Sequence, residues 1–315
     1  MLSNDFIVSH FAASTWIIPA LLTPILVFTV LLLLESRFDV IDQAWLSRLA
    51  YERLGQQYYE QLALTFGPGY RAFNRSAEDE VKNLCEKLNL TIKYHGLENI
   101  PKGPFIMISN EHTNFDGSFL VQAVNKVRGD KETKLLRIIQ YPGDTDDQYS
   151  LPLVKFGKVN NTLVPNAEKI IYEHLSNGRP MVMFPSGKFD DRLFDKDGYF
   201  RFRSGYLRFA MAAQVDLVPA YIHIKFPFWL RFINSIWPKF AEDLIFLLTL
   251  EILRNQTIVV VIGKSISFQE LKKDYELNGK YKPEAYADRV FGLRQLVSNG
   301  AELYKKSSLI YTSSS

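Results

Sequence analysis

The sequence predicts an α/β fold: a mostly parallel sheet flanked by helices, with an N-terminal membrane-anchoring helical segment. Three observations predict it. Beyond residue 88, short apolar runs alternate with helical stretches, the pattern of a parallel sheet covered by helices. Trp16 to Leu34 is a run without charge, close to the roughly 20 residues a helix needs to cross a bilayer. And 315 residues suffice for one large α/β domain with an appendage. The expected organisation is a membrane anchor over 1–40, a helical linker over 41–88, the main domain over 89–308 and a Ser-rich tail over 309–315.

In chain order, the anchor comes first. No Lys or Arg precedes the run and no small-residue site follows Leu34, so a cleaved signal peptide does not fit. Pro19 and Pro24 break helical hydrogen bonding, which leaves a bent span and a re-entrant pair of half-helices both open. Arg37, Arg48 and Arg53 follow the run, so the positive-inside rule places the rest of the chain in the cytoplasm. From Asp42 to Leu64 apolar residues recur at helical spacing until Gly67, Pro68 and Gly69 stop the pattern. A second helix is expected from Ala77 to Leu88, capped by Ser76, with Glu78, Asp79 and Glu80 in the first turn, where the helix dipole favours them.

Strands are expected at Leu90 to Tyr94, Phe105 to Ser109, Leu135 to Ile139, Met181 to Phe184, Leu217 to Ile224 and Thr257 to Ile262. Helices are expected at Gly117 to Val127, Asn166 to Ser176 and Gly205 to Gln214. Phe226 to Leu253 is rich in aromatics, with Lys225 before it and Arg231 and Lys239 inside it. Two readings stand: a surface at bilayer headgroup depth, or a helix pair packed on the sheet.

Composition narrows the function classes. A formal charge of +3 from 37 basic and 34 acidic residues argues against a nucleic-acid partner. Cys85 is the single cysteine, which excludes an intrachain disulfide and a cysteine-rich zinc site, and it reads as core packing. An aromatic content of 14% points toward an apolar ligand or a membrane surface.

In sheets of this kind ligands bind beyond the carboxyl ends of strands, so the residues after Ser109 and Phe184 are the place to seek chemistry. After the first comes Asn110-Glu111-His112-Thr113-Asn114-Phe115-Asp116-Gly117. On a helical segment His112 and Asp116 differ by only about 40° in azimuth. A carboxylate on one ring nitrogen would fix the tautomer while the other nitrogen takes a proton from a hydroxyl. The competing reading makes Asp116 a helix cap and His112 a polar loop residue. After the second strand comes Phe184-Pro185-Ser186-Gly187-Lys188, a tight turn whose backbone N–H groups and lysine suit an anion or a developing oxyanion, or else an ordinary turn with an exposed lysine. Arg192, Arg201, Arg203 and Arg208 with Phe200 and Phe202 follow; RNA, a phosphorylated lipid and the phosphates of coenzyme A all fit that composition.

Gly96 to Pro104, an apolar strand, Ser109-Asn110 and then His and Asp before Gly resemble the opening of the glycerolipid acyltransferase family typified by lysophosphatidic acid acyltransferases. Phe156-Gly157 and Val159 resemble its second block, Gly178 with Met181 to Gly187 the third, and Ser204-Gly205 through Val218-Pro219-Ala220 the fourth. The resemblance spans about residues 90–225. It implies acyl transfer from acyl-CoA or acyl carrier protein to a hydroxyl of a lysophospholipid or lysophosphatidic-acid-like acceptor. His112 is then the base and Asp116 its orienting partner, and Ser186, Gly187, Lys188 and Arg192 hold the acceptor. Lys158, Arg201 and Arg203 are possible donor or phosphate contacts. No metal or bound cofactor is expected, because a thioester is already activated. The expected partners are a phospholipid membrane, the lysolipid and the acyl carrier; the expected location is the membrane, with the catalytic domain on its cytoplasmic side.

Three departures stand out. The family separates its His and Asp by four residues; here Thr113, Asn114 and Phe115 alone intervene. Ser186 and Lys188-Phe189 stand where the family has Glu and Thr-Arg around the third-block glycine, which puts the acceptor in question. The second-block Arg has no clear equivalent; Lys158 or Lys169 can substitute. A lipid-binding or membrane-scaffolding protein without activity, on the same fold, therefore stays open. The soluble acyltransferases that also use His-x-x-x-Asp expect a longer chain with two similar halves, which is absent here.

Overall fold

The structure is a computed structural model. Besides residues 60, 62, 64 and 65, it describes residues 76–140, 150–155, 162–163, 166–186, 202–236 and 238–298. The chain divides into two compact units, Met1–Gln57 and Tyr58–Ser315, and every described residue lies in the second. The Trp16 to Leu34 anchor, the linker helix up to residue 59 and the tail lie outside the described residues. Among the described residues no helix is long and apolar enough to cross a membrane.

Helix α1 (Ala77–Leu88) precedes β1 (Thr91–His95), β2 (Phe105–Ser109), α2 (Asp116–Arg128) and β3 (Lys134–Gln140). Next come β4 (Ser150–Lys155), β5 (Thr162–Leu163), α3 (Ala167–Ser176), β6 (Met181–Met183), α4 (Gly205–Ala213) and β7 (Asp216–His223). Helices α5 (Phe228–Ile236) and α6 (Pro238–Leu253) lead to β8 (Thr257–Ile262), α7 (Phe268–Asn278) and α8 (Pro283–Ser298). The eight strands form one sheet in the order β1-β8-β7-β2-β6-β3-β4-β5. The pairs β1/β8, β7/β2, β2/β6, β6/β3 and β3/β4 are parallel, while β7/β8 and β4/β5 are antiparallel. A mostly parallel sheet is thus correct. One refinement is that β8 returns antiparallel, because α5 and α6 form a hairpin that brings the chain back at the end where β7 leaves.

Strand β2 explains the layering. All five residues of Phe105–Ser109 are buried, as expected of a parallel strand covered on both sides. Phe105 and Met107 join a cluster with Leu84 and Leu88 of α1, Phe119 and Leu120 of α2, Leu230 of α5 and Ile245 of α6. Ile106 and Ile108 join a second cluster with Ile171 and Leu175 of α3, Tyr206 and Leu207 of α4 and Val290 of α8. Alternate residues thus point to two helical layers. Ser76 caps α1 as expected, accepting the Asp79 N–H at 3.1 Å. α1, assigned to the linker from sequence, supplies Ala77, Val81, Leu84 and Leu88 to the core.

Candidate active site

The central position of β2, between β7 and β6, decides where its outgoing loop goes. Because β2, β6 and β7 are parallel, the loop after Ser109 and the turn after Met183 emerge at the same sheet edge. The structure therefore brings His112, Asp116 and Ser186 to one end of the sheet. Arg203 joins the turn, since its backbone N–H donates to the Pro185 carbonyl at 3.0 Å. Ser186 is half-buried and Arg203 exposed. Gly187, Lys188, Arg192, Arg201 and Lys158 lie outside the described residues. Lys169 sits on the solvent face of α3, 3.7 Å from Glu173 one turn on.

In the loop Asn110–Phe115 the polar residues Asn110, His112 and Thr113 are buried, and most of their side-chain polar atoms are hydrogen-bonded. Asn110 reaches across to β7 just past the end of the β2 ladder: its Oδ1 accepts the Ile222 N–H at 2.8 Å and its Nδ2 donates to the Ile222 carbonyl at 2.9 Å. Those two bonds fix which end of the amide is the donor. The same Nδ2 lies 2.7 Å from Nε2 of His112. Since Nδ2 can only donate, Nε2 must accept, so the imidazole is neutral with its proton on Nδ1. That Nδ1 is buried without a hydrogen-bond partner. The ring meets Phe226 edge-on at 5.4 Å between centroids.

Asp116 does something other than grip that ring. Its Oδ2 accepts the backbone N–H of His112 at 2.6 Å and of Thr113 at 3.2 Å, and its Oδ1 accepts the Thr113 hydroxyl at 2.5 Å. Neither ring nitrogen of His112 is bonded to it. The expected carboxylate–imidazole contact is thus replaced by a carboxylate–backbone one, and the short interval explains why. With three intervening residues instead of the family's four, the chain folds back on the carboxylate through its own amides, a capping arrangement. Counted back from Asp116, the family's interval lands on Glu111. Gly117 lets this helix start sit close to β3: a Cβ there would fall 2.3 Å from Cδ2 of Leu135.

Burial sets the electrostatics. It drives the His112 pKa down to about 3, with the positive fields of His223 and Arg294 adding to it against a smaller opposing effect of the Ile222 carbonyl. It pushes Asp116 up to about 7, even though the Thr113 hydroxyl and the two backbone N–H groups pull the other way. His223 is likewise lowered, by burial first and then by Arg294 and Lys225. Sequence reading missed the roles of Asn110, Phe226, His223 and Arg294. Asn110 was legible as the residue following the Phe105 to Ser109 strand; Arg294, on α8, belongs to no local motif. Among the described residues no group of His, Cys, Asp and Glu could hold a metal.

The arrangement can present a neutral base at the sheet edge beside a turn with cationic neighbours in sequence. Residues 91–223, from β1 through β7, match the Acyltransferase family. The chain is similar to a solved structure, the 1-acyl-sn-glycerophosphate (LPA) acyltransferase PlsC from Thermotoga maritima, at 18% identity over 79% of this chain and 96% of that one, with a TM-score of 0.41. No curated protein matches it. His112, Asp116 and the turn after β6 all fall inside the stretch that matches the Acyltransferase family, in the block order noted above.

Proposed function

We propose that the chain is an O-acyltransferase that moves a fatty acyl group from acyl-CoA or acyl carrier protein to a hydroxyl of a lysophospholipid or lysophosphatidic-acid-like acceptor. One observation carries this reading: an imidazole kept neutral by burial stands at the carboxyl end of the central strand of an acyltransferase-family domain. In the reaction the acceptor hydroxyl takes Asn110's place as donor to Nε2. Its proton passes to the ring while its oxygen attacks the thioester carbonyl. Collapse of the tetrahedral adduct breaks the C–S bond, and the thiolate recovers the proton from the imidazolium, leaving an ester and a free thiol. Asn110 presets the tautomer, and Asp116 holds the loop by its backbone. Ser186, Gly187, Lys188 and Arg192 take the acceptor's phosphate or headgroup, with Lys158, Arg201 and Arg203 near the donor. Ser186 and Lys188, in place of a carboxylate and a guanidinium, favour a substituted phosphate over a small doubly charged one. The domain works on the cytoplasmic face of a membrane.

A second reading has its own support: Asp116 is off the ring and the buried Nδ1 has no partner, so an imidazolium formed here is less stabilised than one resting on a carboxylate. On that reading the chain is a lipid-binding or membrane-scaffolding protein on an acyltransferase fold. The test is ester formation by the purified full chain from acyl-CoA and acyl carrier protein across a lysolipid panel, with lysolipid binding measured alongside. Turnover that disappears in His112→Ala while binding persists supports the enzyme. Binding by wild type without turnover from either donor supports the scaffold.

A further inference from the structure

Helix α5 turns a strongly apolar face to solvent. Its inner side is ordinary core: Leu230 is fully buried, Asn234 nearly so, and Ile233 packs against the same cluster. Its outer side is not. Phe228 is 75% exposed, Trp229 46% and Phe232 58%. At 100° per residue these three fall within one arc of about 100°, opposite Leu230. Arg231 lies beside them, its guanidinium carbon 5.9 Å from the Phe228 ring centroid. From Lys225 to Ala241 the chain carries three cations, Lys225, Arg231 and Lys239, and no carboxylate. Just ahead of the helix, Phe226 rests against the His112 ring at 5.4 Å, so the exposed face begins two residues after the one that touches the candidate base.

From these observations we infer that the outer face of α5 docks on an anionic phospholipid surface, seating Phe228, Trp229 and Phe232 at the level of the acyl–headgroup boundary. Aromatic rings with flanking cations and no acids complement such a surface in both hydrophobicity and charge. An exposed helix face is convex, which fits a bilayer better than a protein segment. It rests on the acyl-transfer reading only for its consequence: with Phe226 joining the face to His112, an acceptor embedded in the bilayer presents its glycerol hydroxyl to the base without leaving the membrane.

The test uses the full chain with Cys85→Ser, carrying Phe228→Cys or Phe232→Cys with a nitroxide label, in phosphatidylcholine vesicles with or without phosphatidylglycerol. Glu276→Cys on α7 serves as an aqueous control. Power saturation with oxygen and with a nickel chelate reports the surroundings of each label. Docking is expected to raise oxygen collisions and lower nickel collisions at 228 and 232 relative to 276, more so with phosphatidylglycerol, with the difference between vesicles shrinking at high salt. Equal nickel access at all three sites overturns the inference. Shielding from both reagents also overturns it, since that is the mark of burial against protein, whether residues 1–57, a second copy or another partner. These readouts need no turnover and so stand apart from the acyl-transfer reading. In an active preparation, Phe228→Ser with Phe232→Ser is expected to lower transfer to bilayer-embedded lysolipid on the order of tenfold, through the loss of buried aromatic area. Transfer to a short-chain monomeric acceptor should stay within about twofold; equal losses on both overturn the delivery role.

Discussion

The loop after β2 and the helix α5 invert the usual rule in opposite ways, and they meet at the His112–Phe226 contact. In the loop, Asn110, His112, Thr113 and Asp116 are polar and buried. On α5, Phe228, Trp229 and Phe232 are apolar and exposed. A buried polar group persists when it is hydrogen-bonded, and an exposed large apolar patch persists when it has work on another surface. In the loop nearly every group has found its partner within the fold, with Nδ1 of His112 as the exception. On α5 much of the aromatic surface is left facing solvent. Folding thus hides polar groups on one side of that contact and leaves large apolar ones in solvent on the other.

The largest effect that sharpens it is on the ring itself. His112→Ala should lower kcat by roughly 10²–10⁴-fold, the usual contribution of a positioned general base. Turnover within about threefold of wild type would remove His112 from that role. Next is Asn110, which serves both the ring and β7. Asn110→Leu should cost about 1–3 kcal/mol for each Ile222 group left buried and unpaired, read in denaturant unfolding. Asn110→Asp is the more telling variant. It keeps an acceptor for the Ile222 N–H but sets a carboxylate beside Nε2, so the ring should protonate more readily. The acid limb of kcat/KM, set low in wild type by a His112 pKa of about 3, should then move upward. An unmoved limb would mean that Asn110 does not govern the ring. Asp116→Asn should follow: its carbonyl oxygen can still accept the His112 and Thr113 amides, but an NH2 replaces Oδ1, so the Thr113 hydroxyl loses its acceptor, at about 1.5–3 kcal/mol. Because Asp116 acts through the backbone, this variant should lower activity without moving that limb.

What was legible in the sequence follows the same division. Phe105–Ser109, Ala77–Leu88 and Thr257–Ile262 came out with their observed boundaries because a fully apolar strand and a capped amphipathic helix are local signals. β4 went unread because Pro152 interrupts it and a proline demotes a strand pattern; here it sits next to the edge, where only two-residue β5 follows. α7 and α8 were missed although signals were present: Ser267 caps α7 with Glu270 three residues on, and Pro283 opens α8. The site was legible as a place and a pair of residues, not as a geometry. Spacing could put His112 and Asp116 on one face, but whether the carboxylate meets a ring or an amide depends on how the loop folds back. The two readings of Phe226 to Leu253 divide between the helices. α6 packs Ala241, Ile245 and Leu250 into the core, whereas α5 keeps an exposed aromatic face.

The smallest effect is a pair of opposed pH slopes, which tests whether burial alone shapes the loop's ionisation. Asp116 is raised from an ordinary 3.8 to about 7. Between those values the folded state holds a proton that the unfolded state has released, so this group's contribution to stability is present below about pH 4 and fades as pH rises toward 7. His112 is lowered from 6.5 to about 3. Between those values the unfolded state binds the extra proton, so its contribution is present above about 6.5 and fades as pH falls toward 3. From about pH 4 to 6.5 the two oppose each other, and each is exposed by removing its group. The thermal-midpoint difference between wild type and Asp116→Asn, measured in one nonionic detergent, should shift against wild type as pH rises across that window. The difference between wild type and His112→Gln should shift against wild type as pH falls. Two slopes of the same sign would show that the groups titrate as a joined pair. A carboxylate–imidazole ion pair would then have to form in solution in place of the backbone-bound Asp116, and the contrast between a buried polar loop and an exposed apolar helix would lose its first half.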